Sequence, residues 1–246
     1  VQVAVALAQK YDVVVTNPPY MGSSSMGGKL TDYVKKNYPN SKSDLYAIFI
    51  QACGNFGKKS SYQAMITQHS WMFLGSYEKL REDVYRKTLV NMAHLGARAF
   101  EEIAGEVVQT TAFILCNVDI PGYTGAYVRL VSENSQNDKE LSFLERKQVY
   151  YKSQSNYTSL PAAPVAYWVG DPVFKAFSKN PHVSDIGEAK AGMTTGDNDR
   201  FLRLWFEVKQ SGIGLGYHNS DEAKQSGKKW FPYNKGGGFR KWYGLN

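Results

Sequence analysis

The sequence has 246 residues, of which 43% are hydrophobic and 14% aromatic, enough to bury one large core or two modest ones. It contains no run of about 18 or more apolar residues, so we expect no transmembrane helix and no membrane partner. The net charge of +7 is compatible with a polyanionic partner, and the two cysteines, Cys53 and Cys116, fit reduced core thiols of a cytoplasmic protein better than a disulfide framework.

Strands and helices alternate over the first half of the chain. The β-branched run at 13–16 predicts a strand buried on both faces of a parallel sheet, and the spacing at 44–57 predicts a helix that begins near Asp44. A second strand at 62–67, an amphipathic helix, a third strand in LVNMAHLG and a fourth at 107–118 follow. This alternation predicts an α/β fold, in which ligands bind at the carboxyl ends of the strands.

The composition changes near residue 120. Residues 131–160 are polar and predict a linker or surface excursion with one short helix at 138–147. From residue 161 onward, prolines and glycines separate short apolar segments, which indicates the beginning of an α+β domain. We therefore expect three regions, at 1–130, 131–160 and 161–246.

The tetrapeptide NPPY, Asn17 to Tyr20, directly follows the first predicted strand. The prolines end the hydrogen-bonded ladder, and the residue before a proline is held extended, so Asn17 has a defined orientation. The Asn17 amide oxygen and the Pro18 carbonyl can converge on one amino group, while Tyr20 offers a ring face. Two acceptors beside an aromatic face suit a flipped-out adenine, and a simple proline turn is the alternative.

NPPY after a hydrophobic strand resembles the signature of adenine-specific amino-methyltransferases of DNA, which use S-adenosylmethionine. The resemblance assigns the catalytic positions to Asn17, Pro18, Pro19 and Tyr20. In SDLYAIFIQA it implies that Asp44 and Tyr46 line the cofactor and base pocket. In ARAFEEIAGEVVQTTAFIL it implies that Phe100 covers the other face of the flipped base, and an ordinary core phenylalanine is the alternative.

Longer stretches are similar to the PglX methyltransferases of BREX phage-defence systems. They are NMAHLGARAFEEIAGEVVQTTAFIL, GMTTGDNDRFLRLWFEV and KWFPYNKGGGFRKWYG, and the last two resemble the start of a target-recognition domain. Single-chain restriction-modification enzymes and modification subunits share parts of this pattern. The resemblance implies the C-terminal half of a Rossmann-like class I methyltransferase sheet, double-stranded DNA as the substrate, and other phage-defence or restriction-modification subunits as partners.

One element of the family pattern is missing from the sequence. The family's cofactor site begins with an upstream strand and a glycine turn of the type FxGxG, whereas the ten residues before Tyr11 contain no glycine. We therefore expect a fragment without the N-terminal cofactor half, inactive by itself. A non-catalytic DNA-binding or partner-docking module, a single-chain restriction-modification enzyme, and an enzyme that methylates RNA or protein are the alternatives.

The sequence after Glu222 has no acidic residue and interleaves cations with aromatic residues. The cations are Lys224, Lys228, Lys229, Lys235, Arg240 and Lys241. Cationic side chains neutralise phosphates and aromatic rings stack on bases, so the pattern predicts a DNA surface in which Lys228, Lys229 and Arg240 contact the substrate. A lysine-rich rim over an aromatic core is the alternative.

The sequence offers no pattern typical of a metal site. The four histidines, His69, His94, His182 and His218, lie in no ligand spacing. The acidic and amide side chains of GDNDR (196–200) could suggest calcium, but they fit a turn better. We expect no metal.

Overall fold

A computed structural model describes residues 2–100, 108–188 and 194–233. The chain divides into two compact units, with the boundary after Ile186. The first unit is a mixed α/β structure with a six-stranded sheet, which confirms the fold class predicted from the sequence.

The sheet combines parallel and antiparallel strands. The strands are β1 (Tyr11–Thr16), β2 (Gly57–Gln68), β3 (Thr88–Gly96), β4 (Thr110–Cys116), β5 (Thr124–Arg129) and β6 (Val149–Ser153), in the spatial order β1-β2-β4-β3-β5-β6. β1 pairs parallel with β2 and β3 with β5, while β4 runs antiparallel to β2 and β3. The carboxyl ends of β1, β2, β3 and β5 therefore meet at one side of the sheet, which we call the carboxyl edge.

Helices and short 3-10 turns connect the strands. The helices of the first unit are α1 (Gln2–Ala8), α2 (Gly28–Asn37), α3 (Leu45–Phe56), α4 (Glu78–Tyr85), α5 (Gln136–Leu144), α6 (Asp171–Lys179) and α7 (Val183–Ile186). The 3-10 turns are Ser23–Ser25, His69–Met72, Gly75–Tyr77 and Gln154–Ser159. The helix predicted at 44–57 corresponds to α3, and Asp44 is its N-cap residue, as the sequence indicates.

The hydrophobic core lies on one face of the sheet, where α3 packs on β1 and β2 and α4 packs on β3. Its fully or almost fully buried members include Tyr46, Ile50, Met65, Trp71, Leu80, Met92, Phe113, Leu115, Tyr127 and Tyr167. Aromatic rings make up much of this core, so tilted and stacked ring pairs contribute to its cohesion in addition to the burial of apolar area.

The prediction that residues 13–16 are buried on both faces is wrong. β1 is an edge strand of the described sheet, and its side chains alternate: Val14 packs against the core, whereas Val13 is 54% exposed and Val15 73% exposed. An apolar concavity of about 830 Å³ lies along the opposite face of the sheet and reaches Asn17. A continuous apolar run therefore marks a strand here, but it does not report which faces are covered.

Residues 131–160 contribute secondary structure that the sequence pattern does not predict. The expected helix at 138–147 is α5, which begins two residues earlier and ends at Leu144. β6 then pairs antiparallel with β5, so the sheet continues beyond residue 130, and Tyr157 is completely buried. Both strands are short, and β6 lies inside a polar stretch, which explains why neither produces a clear strand signal.

The described part of the second unit consists of short elements. Its helices are α8 (Asn198–Phe201) and α9 (Ser220–Gln225), its 3-10 turns are Trp205–Glu207 and Gln210–Gly212, and a parallel bridge joins Ile213 to Trp230. Asp197 of the GDNDR sequence caps α8 by accepting a hydrogen bond from the Arg200 backbone N–H at 3.0 Å. Across the described parts of both units, no helix combines the length and apolarity needed to cross a bilayer.

Arg81 of α4 is a completely buried cation that binds backbone carbonyls. Its guanidinium donates to the carbonyls of Trp71 and Leu74, both at 2.8 Å, and twice to the carbonyl of Ala162, at 2.8 and 3.0 Å. Ala162 has a left-handed backbone (φ 59°), which a non-glycine residue adopts only when its surroundings impose it. Arg81 therefore fixes both the turn after β2 and the loop that contains Ala162.

Replacing Arg81 by methionine retains an apolar stem and removes the donors from three carbonyls. We expect Arg81→Met to lower the free energy of unfolding by about 2–4 kcal/mol, because buried acceptors lose their hydrogen bonds. Urea denaturation followed by tryptophan fluorescence measures this loss. Arg86→Met is the matched control, since Arg86 is exposed and its ion pair with Asp83 lies at the surface. Equal losses in the two variants would contradict the role of Arg81.

Candidate active site at the carboxyl edge

The segment Asn17–Tyr20 leaves β1 at the carboxyl edge. The parallel ladder still pairs Thr16 with Met65 and stops there, because the two prolines that follow Asn17 have no backbone donor. Pro18 is buried, Tyr20 is half-buried, and Asn17 and Pro19 are exposed. The geometry thus presents the Asn17 amide to solvent at the end of a strand whose path is fixed by the sheet.

Asp44 connects this segment to the N-terminus of α3. Its Oδ1 atom accepts hydrogen bonds from the backbone N–H of Met21, at 3.0 Å, and of Tyr46, at 3.2 Å. The Leu45 N–H donates to the Met21 carbonyl at 2.9 Å, and Gly22 forms an antiparallel bridge with Asp44. One buried carboxylate therefore caps the helix and holds the chain directly after Tyr20.

Tyr20 is the first of three tyrosines that pack in a row from the segment into the core. Tyr20 meets Tyr46 edge-on with ring centroids 5.9 Å apart, and Tyr46 meets Tyr77 at 6.0 Å. The Tyr20 hydroxyl donates to Asn17 Oδ1 at 3.4 Å, and the Tyr46 hydroxyl lies 2.6 Å from the Ser70 hydroxyl. Burial raises the pKa of Tyr20 and of Tyr46, so both hydroxyls stay protonated at neutral pH.

The structure brings most of the predicted site residues together. They are Asn17, Pro18, Pro19, Tyr20, Asp44 and Tyr46. Tyr46 exposes no surface, so in this structure its side chain supports Tyr20 and does not face a ligand. Phe100 is partly buried beyond the end of β3, and the residues that follow it, 101–107, lie outside the described residues, so its role stays a prediction.

Lys228 and Lys229 lie in the second unit and are exposed. Lys228 Nζ donates to the Ser211 carbonyl at 2.7 Å, and Lys229 Nζ lies 5.3 Å from the centroid of the Trp230 ring. Both lysines therefore keep their charge at the surface while their stems pack on neighbouring chain. The third predicted substrate contact, Arg240, lies outside the described residues. A DNA-binding role for this surface stays a prediction.

Two histidines at the carboxyl edge contact each other, which the sequence does not predict. His69 directly follows β2, and its Nδ1 lies 2.7 Å from Nε2 of His94 in β3. The Nδ1 of His94 lies 2.8 Å from the Tyr167 hydroxyl. Burial lowers the pKa of His69; for His94, burial and the neighbouring His69, Arg129 and Lys139 lower it to about 3. The position of His69 after a strand, matching that of Asn17, is the only signal available in the sequence.

The candidate site contains no evident metal centre. Among the residues that the structure describes, no three histidine, cysteine, aspartate or glutamate side chains lie close enough to share a metal ion. The polar groups that converge here are instead the Asn17 amide, the Asp44 carboxylate and two tyrosine hydroxyls. Such groups can accept and donate hydrogen bonds and position an aromatic ligand, but they include no activated nucleophile.

Comparison with known proteins gives matches along the whole chain. Residues 2–100 match the family of Eco57I restriction-modification methylases. The adenine-specific methyltransferase PglX of Lacticaseibacillus casei (strain Zhang) is 45% identical over 251 residues, which cover 99% of this chain and 21% of that protein. The adenine-specific methyltransferase BrxX of Escherichia coli O9:H4 (strain HS) is 41% identical over 247 residues, which cover 99% of this chain and 20% of that protein.

The chain is a homologue of the PglX and BrxX adenine-specific methyltransferases. This confirms the resemblance read from the sequence. The chain spans about one fifth of the length of these relatives. Among solved structures, the cryo-EM structure of the DrdV–DNA complex aligns with a TM-score of 0.51 at 14% identity, over 69% of this chain and 19% of that one, and supports the fold alone.

Asp44 should hold the site segment through its role as an acceptor. We expect Asp44→Ala to lower the free energy of unfolding by about 1–2 kcal/mol and to speed hydrogen exchange at the Met21 amide, because the helix cap and the clamp are both lost. Asp44→Asn is the matched control, since its Oδ1 can still accept both hydrogen bonds. Denaturation and exchange mass spectrometry test this, and similar losses in the two variants would contradict it.

Acid should destabilise the first unit through His94. Its pKa of about 3 in the folded chain lies below the ordinary value of 6.5, so between these values the unfolded chain takes up a proton and the folded chain does not. Stability from this group is therefore present above about pH 6.5 and declines by up to about 1.4 kcal/mol per pH unit below it.

Comparison with a variant isolates this contribution. Between pH 7 and pH 5, the wild type should lose about 2 kcal/mol more unfolding free energy than His94→Gln, which does not titrate. Arg129, Lys139 and Tyr167 remain in both proteins and cancel from the difference, whereas His69 is hydrogen-bonded to His94, so its own titration is followed by NMR in each protein and subtracted. Urea denaturation at the two pH values measures it, and identical pH dependence would rule out His94 as a source.

Proposed function

We propose that the protein containing this chain methylates the exocyclic amino group of adenine in double-stranded DNA, with S-adenosylmethionine as the methyl donor. The observation that carries the proposal is the Asn17–Tyr20 segment, fixed at the carboxyl edge by Asp44 with Tyr20 beside the Asn17 amide. The names of the PglX and BrxX relatives support it. The biological role that follows is marking of host DNA in phage defence or restriction-modification.

The Asn17 side chain and the Pro18 carbonyl would bind the target amino group. The Tyr20 hydroxyl donates to Asn17 Oδ1, which orients the amide and leaves a second lone pair on that oxygen for a substrate N–H. Tyr20, half-buried and supported by Tyr46, would present its ring to the flipped base. Two acceptors on the amine favour a pyramidal nitrogen whose lone pair points at the methyl donor.

Positioning accounts for the catalysis in this proposal. When bound, S-adenosylmethionine supplies a methyl group on a positively charged sulfur, so the reaction needs an aligned nitrogen more than a strong base. Asp44 fits the family's cofactor position, because its Oδ1 is occupied by two backbone amides while Oδ2 accepts no hydrogen bond from the described residues. That oxygen is suited to pair with the cofactor's ammonium group.

The second unit would contribute DNA contacts. Under the family pattern, residues 1–130 correspond to the C-terminal half of the catalytic domain, 131–160 to a linking excursion, and 161–246 to the start of target recognition, of which residues 161–186 belong to the first compact unit and the remainder to the second. The exposed charges of Lys228 and Lys229 support a phosphate-binding role. Partners among other defence or restriction-modification subunits follow from the same homology.

Asn17 is the residue whose removal tests methyl transfer. In the full-length protein, Asn17→Ala should reduce methylation about 100-fold or more, because one pre-organised polar group at the reacting atom is lost. DNA affinity should change little, since phosphate contacts dominate binding. Tritium transfer from labelled cofactor and fluorescence anisotropy measure the two quantities. Asn37→Ala, an exposed asparagine on α2, is the control, and wild-type methylation by Asn17→Ala would remove the proposal.

Lys228 and Lys229 test the DNA surface. Replacing both by alanine in the full-length protein should reduce the log–log salt slope of DNA binding by roughly 1–2 units, at about 0.9 per lost phosphate contact. Anisotropy titrations at several salt concentrations give the slope. Lys58 and Lys59, an exposed pair at the N-terminal end of β2, form the control double variant. If replacing Lys228 and Lys229 left the salt slope unchanged, these two lysines would belong to a solvated rim.

A further inference from the structure

A chain of hydrogen-bonded side chains runs from the carboxyl edge into the core. It links His69 to His94 at 2.7 Å and His94 to the Tyr167 hydroxyl at 2.8 Å, and both His94 and Tyr167 are buried. Burial raises the pKa of Tyr167, an effect that the neighbouring Arg129 only reduces, so the Tyr167 hydroxyl keeps its hydrogen at neutral pH. The series thus begins at the buried Tyr167 hydroxyl and ends at His69.

The direction of these hydrogen bonds follows from the Tyr167 hydroxyl. Tyr167 is completely buried, and its hydroxyl hydrogen needs an acceptor. The acceptor available is Nδ1 of His94, which is neutral. His94 then has its proton on Nε2 and donates to Nδ1 of His69, so His69 has its proton on Nε2.

The reverse direction is disfavoured by the same count of donors. If His94 donated to Tyr167, the buried hydroxyl hydrogen of Tyr167 would have no acceptor among the described residues, and an unpaired buried donor is unfavourable. The first arrangement pairs every polar side-chain atom of His69, His94 and Tyr167 except Nε2 of His69. That N–H makes no hydrogen bond with any described residue, and His69 is only half-buried.

His69 lies next to the proposed base pocket. β1 and β2 run parallel, so Asn17 and His69 leave neighbouring strands at the same edge. Tyr46 connects the two segments, because its ring packs edge-on against Tyr20 and its hydroxyl bonds to Ser70, the residue after His69. Only one tyrosine side chain therefore separates the turn of His69 from the NPPY segment.

We propose that His69 is a specificity-determining residue whose Nε2–H donates to a ring nitrogen of the flipped adenine. This inference rests on the proposed function and deepens it. Asn17 and Pro18 would accept from the amino group, and a fixed donor beside them would match the acceptor nitrogens of adenine and oppose the N1–H of guanine. His69 cannot take the proton that the amine releases, because Nε2 is already protonated and Nδ1 is occupied.

Modified bases test this with the full-length protein. Single-turnover methylation is measured on duplexes that contain adenine, 1-deazaadenine, 3-deazaadenine or 7-deazaadenine at the target position. Wild type should be slowed about 10-fold on one analogue, the one that lacks the bonded nitrogen. The His69→Gln variant should methylate adenine more slowly than wild type by a similar factor. On the analogue that lacks the bonded nitrogen, its rate should equal its own rate on adenine. His182→Ala, at an exposed position in the first unit, is the control.

Tyr167→Phe provides a second variant if His69→Gln folds poorly. This replacement frees His94 to change its tautomer, so methylation of adenine should slow less than in His69→Gln. The analogue whose discrimination weakens should be the same one. Equal slowing of a His69 variant on all four bases, or wild-type discrimination in both variants, would overturn the inference. Absence of methylation by the wild type would instead overturn the proposed function, and this inference with it.

Discussion

The candidate site depends on the hydrogen bonds that the Asp44 carboxylate accepts from the amides of Met21 and Tyr46. A loop that follows two prolines has no ladder to hold it, and without a fixed partner its conformational entropy would spread the Asn17–Tyr20 segment over many positions. Asp44 removes that freedom by joining the loop to a helix N-terminus that needs an acceptor in any case. The cap and the site are therefore one structural feature.

Strand direction determines what else can meet at this site. Because β1, β2, β3 and β5 point the same way, the residues after β1 and after β2 emerge side by side, and the ends of β3 and β5 close the same edge. The aromatic core beneath supplies Tyr46, which supports Tyr20 from below and holds Ser70. Rigid support of this kind suits a reaction in which alignment of one weak nucleophile matters most.

The sequence predicts the parts of this arrangement that are local. NPPY after an apolar strand and Asp44 before an apolar helix are short patterns, and both lie where the patterns indicate. The exposure of Val13 and Val15 could not be read, because it depends on which strand is at the edge of the sheet. The His69–His94–Tyr167 chain joins residues 25 and 73 positions apart, and no local pattern encodes such contacts. β5 and β6 are short, and their pairing with β3 and with each other is a long-range feature that the local sequence does not encode.

Photocrosslinking shows whether a flipped base reaches the NPPY segment. The full-length protein would be irradiated with DNA that contains 5-iodouracil at the target adenine, after that position has been identified by sequencing methylated host DNA. Because the site presents the Tyr20 ring beside the Asn17 amide, we expect the crosslinked peptide to contain Tyr20. Crosslinks confined to other residues, with the Tyr20 peptide unmodified, would contradict it.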